Sequence, residues 1–539
     1  MRLVPILLLS LALTVPSAWA QQDRAGERPT DSKEAKGPAK DDKKDEKKED
    51  KKESAPSVTH HTVTVNGVTI NYTATAGYLE QPDYEGKPKA NVFFVSYVKD
   101  AEGDQSASKP RPVAFCFNGG PGSSSVWLHM GAIGPRRVDF ADPKEKPGVP
   151  SSPQPPYRVI DNEYTWLDAV DLVFIDPVST GYSRPVEGEN ANQFHGLNED
   201  IRWVGDFIRL WTTKNKRWDS AKFLAGESYG TTRAPGLSGY LVGSTRHIAA
   251  CDPDEDQPSR MVLISPVLNC QTIEFDGGND PPYWLYLPTY TATAWYHHRL
   301  DADLQRDLSK TVDEARKWAN TDYLVALGKG DALTEKERDA VAAKLSKYTG
   351  LSRAFCERAR LRIDLGAFDK ELLRDQGRTV ARLDGRYLGI DRNGNGDGPD
   401  YDASYSAIQG PFTAALNSYV RSELQYENDR PYEILTGRVH PWSFASATNR
   451  YADVAGTLRS AMTENRSLHV LVCSGYYDGA TPFHAATYTI DHLGLDPSLR
   501  ANISQTYYEC GHMMYIRHAD LAKLREDVRR FMDQALAGR

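Results

Sequence analysis

The stretch that decides the fold is KFLAGESYG, residues 222–230. Its first four residues form a short, mainly apolar run of the kind that is buried on both faces of a parallel sheet. The pattern G-x-S-x-G follows, with Gly226 and Gly230 on either side of Ser228. Glycine at these two places lets the chain turn sharply from a strand into a helix. The stretch therefore predicts a buried strand, a tight turn that exposes the Ser228 hydroxyl, and the start of a helix.

Similar runs lie on both sides of this stretch, at residues 112–117, 171–176, 261–265 and 468–474. Residues 195–212 have a helical pattern, with apolar side chains along one stripe. Ahead of these segments, residues 58–75 alternate with a period of two around Asn66-Gly67, which is a strong hairpin signal, and residues 91–98 form another such strand. Antiparallel strands followed by alternating strands and helices predict an α/β fold with a mixed, mostly parallel sheet flanked by helices.

Composition narrows the class of protein. The 539 residues carry a net charge of −8, and 10% of them are aromatic. The mildly acidic balance argues against nucleic acid as the main partner, because phosphate binding needs a basic surface. The aromatic share is too high for a wholly disordered chain. No apolar run reaches the roughly eighteen residues of a spanning helix, so we expect no transmembrane segment in the mature chain.

The first 57 residues differ from the rest. Residues 1–20 contain one Arg, a Leu-rich stretch and a small-x-small ending at Ala20, which is typical of a signal peptide. They predict cleavage near Ala20 and a secreted or periplasmic protein. Residues 21–57 lack apolar periodicity, and residues 40–53 are fourteen charged residues in a row. Residues 21–57 are therefore predicted to be a disordered charged linker.

A serine hydroxyl is a poor nucleophile until a positioned base removes its proton, so Ser228 needs a histidine and an acid. In α/β-hydrolases the order along the chain is nucleophile, acid, histidine. The predicted strand 468–474 leads into Asp478, and a last predicted strand, 503–508, leads into His512. These positions predict a Ser228-Asp478-His512 triad, in which Asp478 orients the imidazole and His512 carries the proton.

A Gly-rich turn follows the predicted strand 112–117 and reads NGGPGSSS from Asn118 onward. An α/β-hydrolase keeps the second half of its oxyanion hole in the loop at this place. A glycine pair allows backbone amides to approach a substrate oxygen closely. We therefore expect the N–H groups of Gly120 and Tyr229 to face the oxyanion that develops on the substrate.

The motifs together resemble the serine carboxypeptidases. In order and spacing they are Asn118-Gly119-Gly120-Pro121-Gly122-Ser123-Ser124, Gly134-Pro135, Trp166, Asp176-Pro177, Gly181-Tyr182-Ser183, Gly226-Glu227-Ser228-Tyr229 with Pro235, Asp478, and Gly511-His512-Met513. The resemblance covers about residues 90–300 and 465–515. It implies an α/β-hydrolase that removes single residues from peptide C-termini through an acyl-enzyme. Neither a cofactor nor a metal site is predicted.

The resemblance also implies a site for the carboxylate of the substrate. Family members bind that group with the Asn and first Gly of the N-G-G turn and with the Glu before the nucleophile. The matching positions in this chain are Asn118, Gly119 and Glu227. A protonated Glu227 donates a hydrogen bond to a carboxylate, which fits the family's preference for acidic conditions.

One departure from the family concerns Glu227. Many members carry a second Glu that pairs with it, and Ala132 occupies that position here. Without a partner, Glu227 has less reason to stay protonated near neutrality. We therefore expect weaker carboxylate recognition or a shifted pH dependence, unless Arg136, Arg137 or His129 substitutes for the missing side chain.

Two further departures concern the pocket and the disulfides. Ser123 stands where the family often has Cys, so that disulfide is absent. Tyr515 stands where Pro is usual, and we expect it to reshape the pocket wall. Secretion permits disulfides, and Cys251 and Cys270 are the candidate pair.

The domain organisation follows from these segments. Residues 58–300 and 433–539 are predicted to be the two parts of an α/β-hydrolase core. Residues 301–432 carry few strand signals and are rich in Lys, Glu, Ala and Leu. They are predicted to be a largely helical cap inserted over the carboxyl edge of the sheet.

Several alternatives stay open. The same triad serves an esterase or acyltransferase, and a catalytically silent envelope binding protein could retain the fold as a scaffold. His484 is the second choice for the base, while His518 lies too close to the final helix. Residues 391–402 mimic a calcium loop, but Asp402 stands where that loop needs Glu, so a polar surface turn is favoured.

Overall fold

The computed structural model describes residues 55–101, 110–140, 153–242 and 260–536. The predicted signal peptide and nearly all of the predicted linker lie outside these ranges. Within them the chain forms a large mixed sheet with helices on both faces, which confirms the predicted fold class. No helix in the described ranges is long and apolar enough to cross a membrane.

The strands follow the apolar runs of the sequence closely. They are β1 (Ser57–Val65), β2 (Val68–Pro82), β3 (Pro88–Lys99), β4 (Val113–Phe117), β5 (Arg136–Val138), β6 (Val159–Asp161), β7 (Asp171–Ile175), β8 (Arg184–Pro185), β9 (Lys222–Glu227), β10 (Arg260–Ile264), β11 (Thr379–Val380), β12 (Leu388–Gly389), β13 (His469–Gly475) and β14 (Ile503–Tyr508). The predicted hairpin is present, since β1 and β2 pair across the turn at Asn66-Gly67. β1 begins at Ser57, the last residue of the predicted linker.

The main sheet has the order β1-β2-β3-β7-β4-β9-β10-β13-β14 among the described residues, with the short β8 also paired to β3. The pairs from β1 to β7 are antiparallel. From β7 to β14 every pair is parallel. The parallel half therefore presents the carboxyl ends of β4, β9, β10, β13 and β14 along one edge, where ligands bind in open α/β sheets.

The strands of the parallel half are buried on both faces. In β4, Ala114 and Cys116 belong to the hydrophobic core on one face of the sheet. Val113, Phe115 and Phe117 belong to the core on the other face. Successive side chains point to opposite faces of a strand, so a continuous apolar run fills two cores at once.

The helices cover these two cores. They are α1 (Leu197–Lys214), α2 (Gly230–Val242), α3 (Pro281–Leu285), α4 (Leu287–Tyr296), α5 (Leu308–Trp318), α6 (Leu324–Lys329), α7 (Glu335–Thr349), α8 (Arg353–Arg358), α9 (Leu365–Glu371), α10 (Ala403–Ser422), α11 (Ala455–Glu464), α12 (Phe483–Asp491), α13 (Pro497–Arg500) and α14 (His518–Leu536). The predicted stripe on α1 packs into one of the cores; its residues are Leu197, Ile201, Val204, Ile208 and Trp211.

Helices α5 to α10 fall within residues 301–432, the range assigned to the insertion from the sequence. That range also holds the small antiparallel pair of β11 and β12. Helix α4, which precedes the range, packs against α5 and α7. The role of these helices as a cap stays a prediction.

Candidate active site

Ser228 lies in a tight turn between β9 and α2. Its backbone has a φ of +59°, in the left-handed region that non-glycine residues rarely occupy. A methyl group on Gly226 would stand 2.3 Å from the carbonyl oxygen of Gly230, so the turn closes only with glycine at that place. Glu227 and Tyr229 are buried, whereas Ser228 is partly exposed. The turn therefore holds the Ser228 side chain at the carboxyl edge of the sheet under backbone strain.

Asp478 follows β13 and is fully buried. Its Oδ1 accepts hydrogen bonds from the backbone N–H groups of Ala480 and Thr481, at 2.8 and 2.9 Å. Its Oδ2 accepts from the Thr481 hydroxyl at 2.7 Å and contacts Nδ1 of His512 at 2.8 Å. Both carboxylate oxygens are thus fixed, and one of them is aimed at the imidazole.

His512 follows β14 and is 3% exposed. Burial alone lowers its pKa, but the charge and hydrogen bond of Asp478, together with the charge of Glu227, outweigh burial and raise the pKa above 6.5. A charge of opposite sign stabilises the imidazolium, as a general base requires after it has taken a proton.

The end of β10 connects the three predicted triad residues. The backbone N–H of Ser228 donates to the carbonyl of Ile264 at 3.1 Å. The neighbouring Ser265 donates its hydroxyl to the carbonyl of His512 at 2.7 Å, and its own carbonyl oxygen lies 3.0 Å from the hydroxyl oxygen of Thr481. In the described part of the chain no hydrogen bond joins Ser228 directly to His512, and such bonds are often long in unliganded enzymes.

The Gly-rich turn after β4 lies directly against the Ser228 turn. A methyl group on Gly119 would stand 2.3 Å from the backbone nitrogen of Tyr229 and 2.9 Å from Cβ of Ser228. Gly120 has a φ of +102°, a conformation that favours glycine. The two predicted oxyanion-hole residues, Gly120 and Tyr229, therefore belong to adjoining turns.

A buried arginine fixes the Gly-rich turn. Nη1 of Arg233 donates to the carbonyl of Asn118 at 2.6 Å, and Nε donates to Oδ2 of Asp200 at 2.7 Å. Both side chains of this ion pair are almost fully buried. Arg233 lies on α2, so the pair links the helix after the nucleophile to the turn that faces it.

Glu227 is 2% exposed and lies between the two turns. Its Oε1 accepts hydrogen bonds from Nδ2 of Asn118 at 3.0 Å and from the hydroxyl of Tyr515 at 3.1 Å. Its Oε2 is buried and has no hydrogen-bond partner among the described residues. A buried polar atom without a partner is costly, and a substrate group would satisfy it.

The pKa of Glu227 is set mainly by burial, which raises it from 4.5 to about 7. The charge of His512 and the hydrogen bonds from Tyr515 and Asn118 act in the opposite direction. The sequence predicts less reason for Glu227 to stay protonated near neutrality without a second Glu, and this comparison with a paired acid stays a prediction. Removal from water holds the proton on this carboxyl without a paired acid.

None of the three proposed substitutes for the second Glu contacts Glu227. Arg136 pairs with Asp161 and Glu423, and Arg137 pairs with Glu163. His129 contacts the Tyr97 hydroxyl, and burial lowers its pKa to about 3. These three side chains are engaged elsewhere in the fold.

Tyr515 contacts Glu227 instead, which sequence reasoning missed. A methyl group on Gly131 would stand 2.4 Å from the Tyr515 ring, so the ring packs against the backbone next to Ala132. The signal available in the sequence was a pair of departures, Ala132 for Glu and Tyr515 for Pro. Only the fold shows that Tyr515 donates a hydrogen bond to Glu227.

Other candidates from the sequence lie apart from this site. His484 contacts Oδ1 of Asn320 through Nε2, and burial lowers its pKa to about 3. His518 begins α14 and contacts Arg137. Cys270 is a free thiol, and Cys251 lies outside the described residues.

Residues of the calcium-like run 391–402 contact other parts of the chain. The ammonium group of Lys370 pairs with Oδ2 of Asp391 and donates to the carbonyl of Asn393. Asp402 caps the start of α10 by accepting from the backbone N–H groups of Ser404 and Tyr405. The acids at both ends of the run therefore have structural partners within the chain.

Comparisons with known proteins find similarity to serine carboxypeptidases. Residues 65–253 match the family model described as Serine carboxypeptidase. The Arabidopsis thaliana protein Serine carboxypeptidase-like 51 is 31% identical over 152 residues, which cover 27% of this chain and 28% of that protein. The pheromone-processing carboxypeptidase kex1 of Talaromyces marneffei is 26% identical over 176 residues, which cover 32% of this chain and 24% of that protein. These matches span less than a third of the length of either relative.

A solved structure extends the similarity in fold beyond these segments. The crystal structure of Kex1(delta)p, a prohormone-processing carboxypeptidase from Saccharomyces cerevisiae, has a TM-score of 0.51 and 16% sequence identity. The match covers 86% of this chain and 91% of that chain. The predicted α/β-hydrolase fold is confirmed, and the similarity to serine carboxypeptidases is supported in both sequence and fold.

Proposed function

We propose that this chain is a serine carboxypeptidase that hydrolyses C-terminal peptide bonds through the Ser228-Asp478-His512 triad. The observation that carries the proposal is the buried Glu227 carboxyl one residue before Ser228, with Oε2 free and a pKa of about 7. An endopeptidase or a simple esterase has no need for a proton donor beside the nucleophile. A carboxypeptidase needs one, because it must bind a free carboxylate at a fixed distance from the bond that it cleaves.

In the first half of the proposed reaction, His512 takes the proton of the Ser228 hydroxyl as the oxygen attacks the scissile carbonyl carbon. The N–H groups of Gly120 and Tyr229 stabilise the negative charge that develops on the carbonyl oxygen. The C–N bond then breaks, and His512 gives its proton to the leaving amine. The released product is the C-terminal amino acid, and the rest of the peptide stays as an ester on Ser228.

In the second half, water attacks the ester carbonyl while His512 takes one of its protons. The tetrahedral intermediate collapses, the Ser228 oxygen leaves, and His512 returns the proton to it. Asp478 keeps the imidazole in the required orientation throughout, since four hydrogen-bonding contacts hold its carboxylate. It remains ionised and stabilises the imidazolium.

Recognition of the carboxylate is proposed to use Asn118, Gly119 and Glu227. Asn118 and Tyr515 both donate to Oε1 of Glu227, so the proton of the neutral acid belongs on Oε2. A substrate carboxylate that accepts from Oε2 forms a charge-assisted hydrogen bond, which is among the stronger kinds. Because the pKa of Glu227 is about 7, this donor is present below neutral pH and is lost above it.

The test compares two forms of one peptide, with a free and with an amidated C-terminus. We expect release of the terminal amino acid from the free form and at least about a hundredfold lower kcat/KM for the amidated form. Ser228→Ala, which removes the nucleophile, serves as the control for contaminating peptidases. Equal cleavage of the two peptides would defeat the assignment.

Ester turnover decides between the proposed activity and its alternatives. Brisk hydrolysis of a small ester, with no release of amino acid from either peptide, would identify an esterase or acyltransferase. Failure of a fluorophosphonate to label Ser228 would identify a catalytically silent protein. Each of these outcomes is distinct from the one that the proposal predicts.

Export is part of the proposal and depends on residues 1–20. The amino-terminal sequence of protein recovered from outside the cytoplasm should begin near Gln21. A mature protein that starts at Met1 would contradict cleavage near Ala20.

A further inference from the structure

Residues 381–387 form a strap that lies against both loops that carry the predicted acid and base. The strap belongs to residues 301–432, so it is separated along the chain from both loops. Its ends approach each other, because the N–H of Ala381 donates to the carbonyl of Tyr387 at 3.1 Å. The strap is therefore a closed turn with a defined shape.

The backbone of the strap holds the loop of Asp478. The carbonyl of Arg382 accepts a hydrogen bond from the N–H of Gly479 at 3.0 Å. The N–H of Gly385 donates to the carbonyl of Tyr477 at 2.9 Å. The residues immediately before and after Asp478 are both bonded to the strap, so the position of the acid depends on it.

The strap also holds the loop of His512. The carbonyl of Leu383 accepts a hydrogen bond from the N–H of His512 itself at 2.7 Å. A methyl group on Gly511 would stand 2.4 Å from Cβ of Asp384, so the two backbones approach as closely as a glycine allows. The loop of the acid and the loop of the base are therefore bonded to adjacent residues of one segment, Arg382 and Leu383.

An ion pair within the strap fixes its shape. Nε and Nη2 of Arg386 donate to the two carboxylate oxygens of Asp384, at 2.9 and 2.7 Å. The side chains are 4% and 2% exposed, and a buried bidentate pair has a defined geometry. The pair also reaches the His512 loop, because Nη1 of Arg386 donates to the carbonyl of Glu509 at 3.0 Å and the N–H of Gly511 donates to Oδ2 of Asp384 at 3.3 Å.

The Arg386 guanidinium also lies over the ring of Tyr477, at 5.3 Å from the ring centroid. One side chain thus contacts the loop of the acid and the loop of the base. We infer that Asp384 and Arg386 are positioning residues, which hold Asp478 and His512 in register with each other. The inference rests on the proposed function, because it assigns to these two residues the assembly of the triad.

The inference predicts a specific defect when the pair is changed. Arg386→Met leaves the Asp384 carboxylate buried without its partner, and Arg386→Lys keeps the charge but loses the fork of two donors. Both changes let the two loops shift, and a displacement of about 1 Å at a catalytic group costs about a hundredfold in rate. We expect the Met variant to lose about a hundredfold and the Lys variant about tenfold in the rate of Ser228 labelling.

The experiment measures fluorophosphonate labelling per folded molecule, with the folded fraction taken from circular dichroism at the same temperature. The matched control is Lys370→Met, which breaks the buried Lys370–Asp391 pair within residues 301–432. That pair lies outside the strap and its contacts with the triad loops. We expect the control to unfold more easily while its folded fraction is labelled at the wild-type rate.

The pH dependence of labelling separates positioning from general weakening. Contact with Asp478 helps to raise the pKa of His512, and Glu227 and Arg382 also act on it. A loosened contact therefore lowers that pKa. The rise of the labelling rate with pH should then occur at lower pH in the Arg386 variants and stay in place in the control. Labelling of both Arg386 variants at the wild-type rate and pH would overturn the inference, as would defects equal to those of Lys370→Met.

If Arg386→Met does not fold, the labelling rate of Arg386→Lys and its pH dependence test the inference. Labelling of Ser228 requires no peptide, so it reports on the triad even when the carboxypeptidase assignment fails. Failure of that assignment appears separately, as wild-type protein that is labelled but does not distinguish free from amidated peptides.

Discussion

The hydroxyl of Tyr515 donates a hydrogen bond to Oε1 of Glu227 at 3.1 Å, across 288 positions of sequence. Burial raises the pKa of Tyr515 well above 10, so the hydroxyl stays protonated and acts as a donor. Together with Asn118 it occupies Oε1 and leaves Oε2 for the substrate. Burial and the charge of Asp478 raise the pKa of Glu227, whereas the hydrogen bond from this neutral donor lowers it.

The first prediction concerns Tyr515→Phe. The change removes one donor to Oε1, so the carboxyl is held less firmly, and we expect KM for free-carboxylate peptides to rise about tenfold. The hydrogen bond from Tyr515 lowers the pKa of Glu227, so its loss should move the alkaline limb of peptide hydrolysis to higher pH. Steady-state kinetics against pH measures both effects. A change in stability alone, with KM and the pH profile unchanged, would contradict this role.

The control for that variant is Tyr323→Phe. Tyr323 is buried and donates its hydroxyl to the carbonyl of Leu361, within residues 301–432. Tyr323→Phe loses a buried hydrogen bond of the same kind, so this variant reports the effect that such a loss has through stability alone. Its KM and pH profile should match those of the wild type.

The second prediction concerns Gly119→Ala. The added methyl group would stand 2.3 Å from the backbone nitrogen of Tyr229 and 2.9 Å from Cβ of Ser228, so the two turns must move apart. Loss of one oxyanion donor costs about 10² to 10³ in kcat, and we expect a loss of this size in labelling and in hydrolysis. Gly456→Ala in α11 is the control, because no described atom beyond its chain neighbours and its own helix backbone lies within 4 Å of the added methyl group. If Gly119→Ala is labelled at the same rate as the wild type, this turn does not contribute to the oxyanion hole.

The third prediction concerns the buried Arg233–Asp200 pair. Arg233→Met leaves the carboxylate of Asp200 buried and removes the donor to the carbonyl of Asn118. Breaking such a pair from one side costs about 3–5 kcal/mol, which urea unfolding should show as a lower midpoint. The exposed Arg209 on α1 provides the control, since Arg209→Met should change the free energy of unfolding by less than about 0.5 kcal/mol. A midpoint equal to that of the control would show that the pair contributes little.

Local patterns explain how much of the fold the sequence could predict. β14 occupies the predicted residues 503–508, and the predicted hairpin forms around Asn66-Gly67, because apolar periodicity and turn residues act over a few neighbouring positions. The same holds for Glu227 and Ser228, which share one motif. The predicted roles of the site residues stay predictions that the experiments above test.

The remaining features depend on contacts between distant segments. Residues 381–387 carry no periodic pattern, and their place beside Asp478 and His512 depends on how the chain returns to the sheet. The sequence suggests partners for Glu227 close to Ala132, such as Arg136 and His129, whereas the fold supplies Tyr515 from the last part of the chain. The raised pKa of Glu227 likewise follows from burial, which a motif does not reveal.

The fourth prediction concerns the opposite effects of Glu227 and Arg382 on the pKa of His512. Labelling of Ser228 requires the neutral imidazole, so its rate increases with pH through the pKa of His512. The charge of Glu227 raises that pKa, and the charge of Arg382 lowers it. Arg382→Gln should therefore move the acid side of the pH profile of labelling to higher pH. Glu227→Gln should move it to lower pH by a smaller amount, because Glu227 is largely protonated below its pKa of about 7. The exposed Arg378 gives the control, because Arg378→Gln should leave that side of the profile in place. Shifts of the two variants in the same direction would contradict the assignment of His512 as the base that activates Ser228.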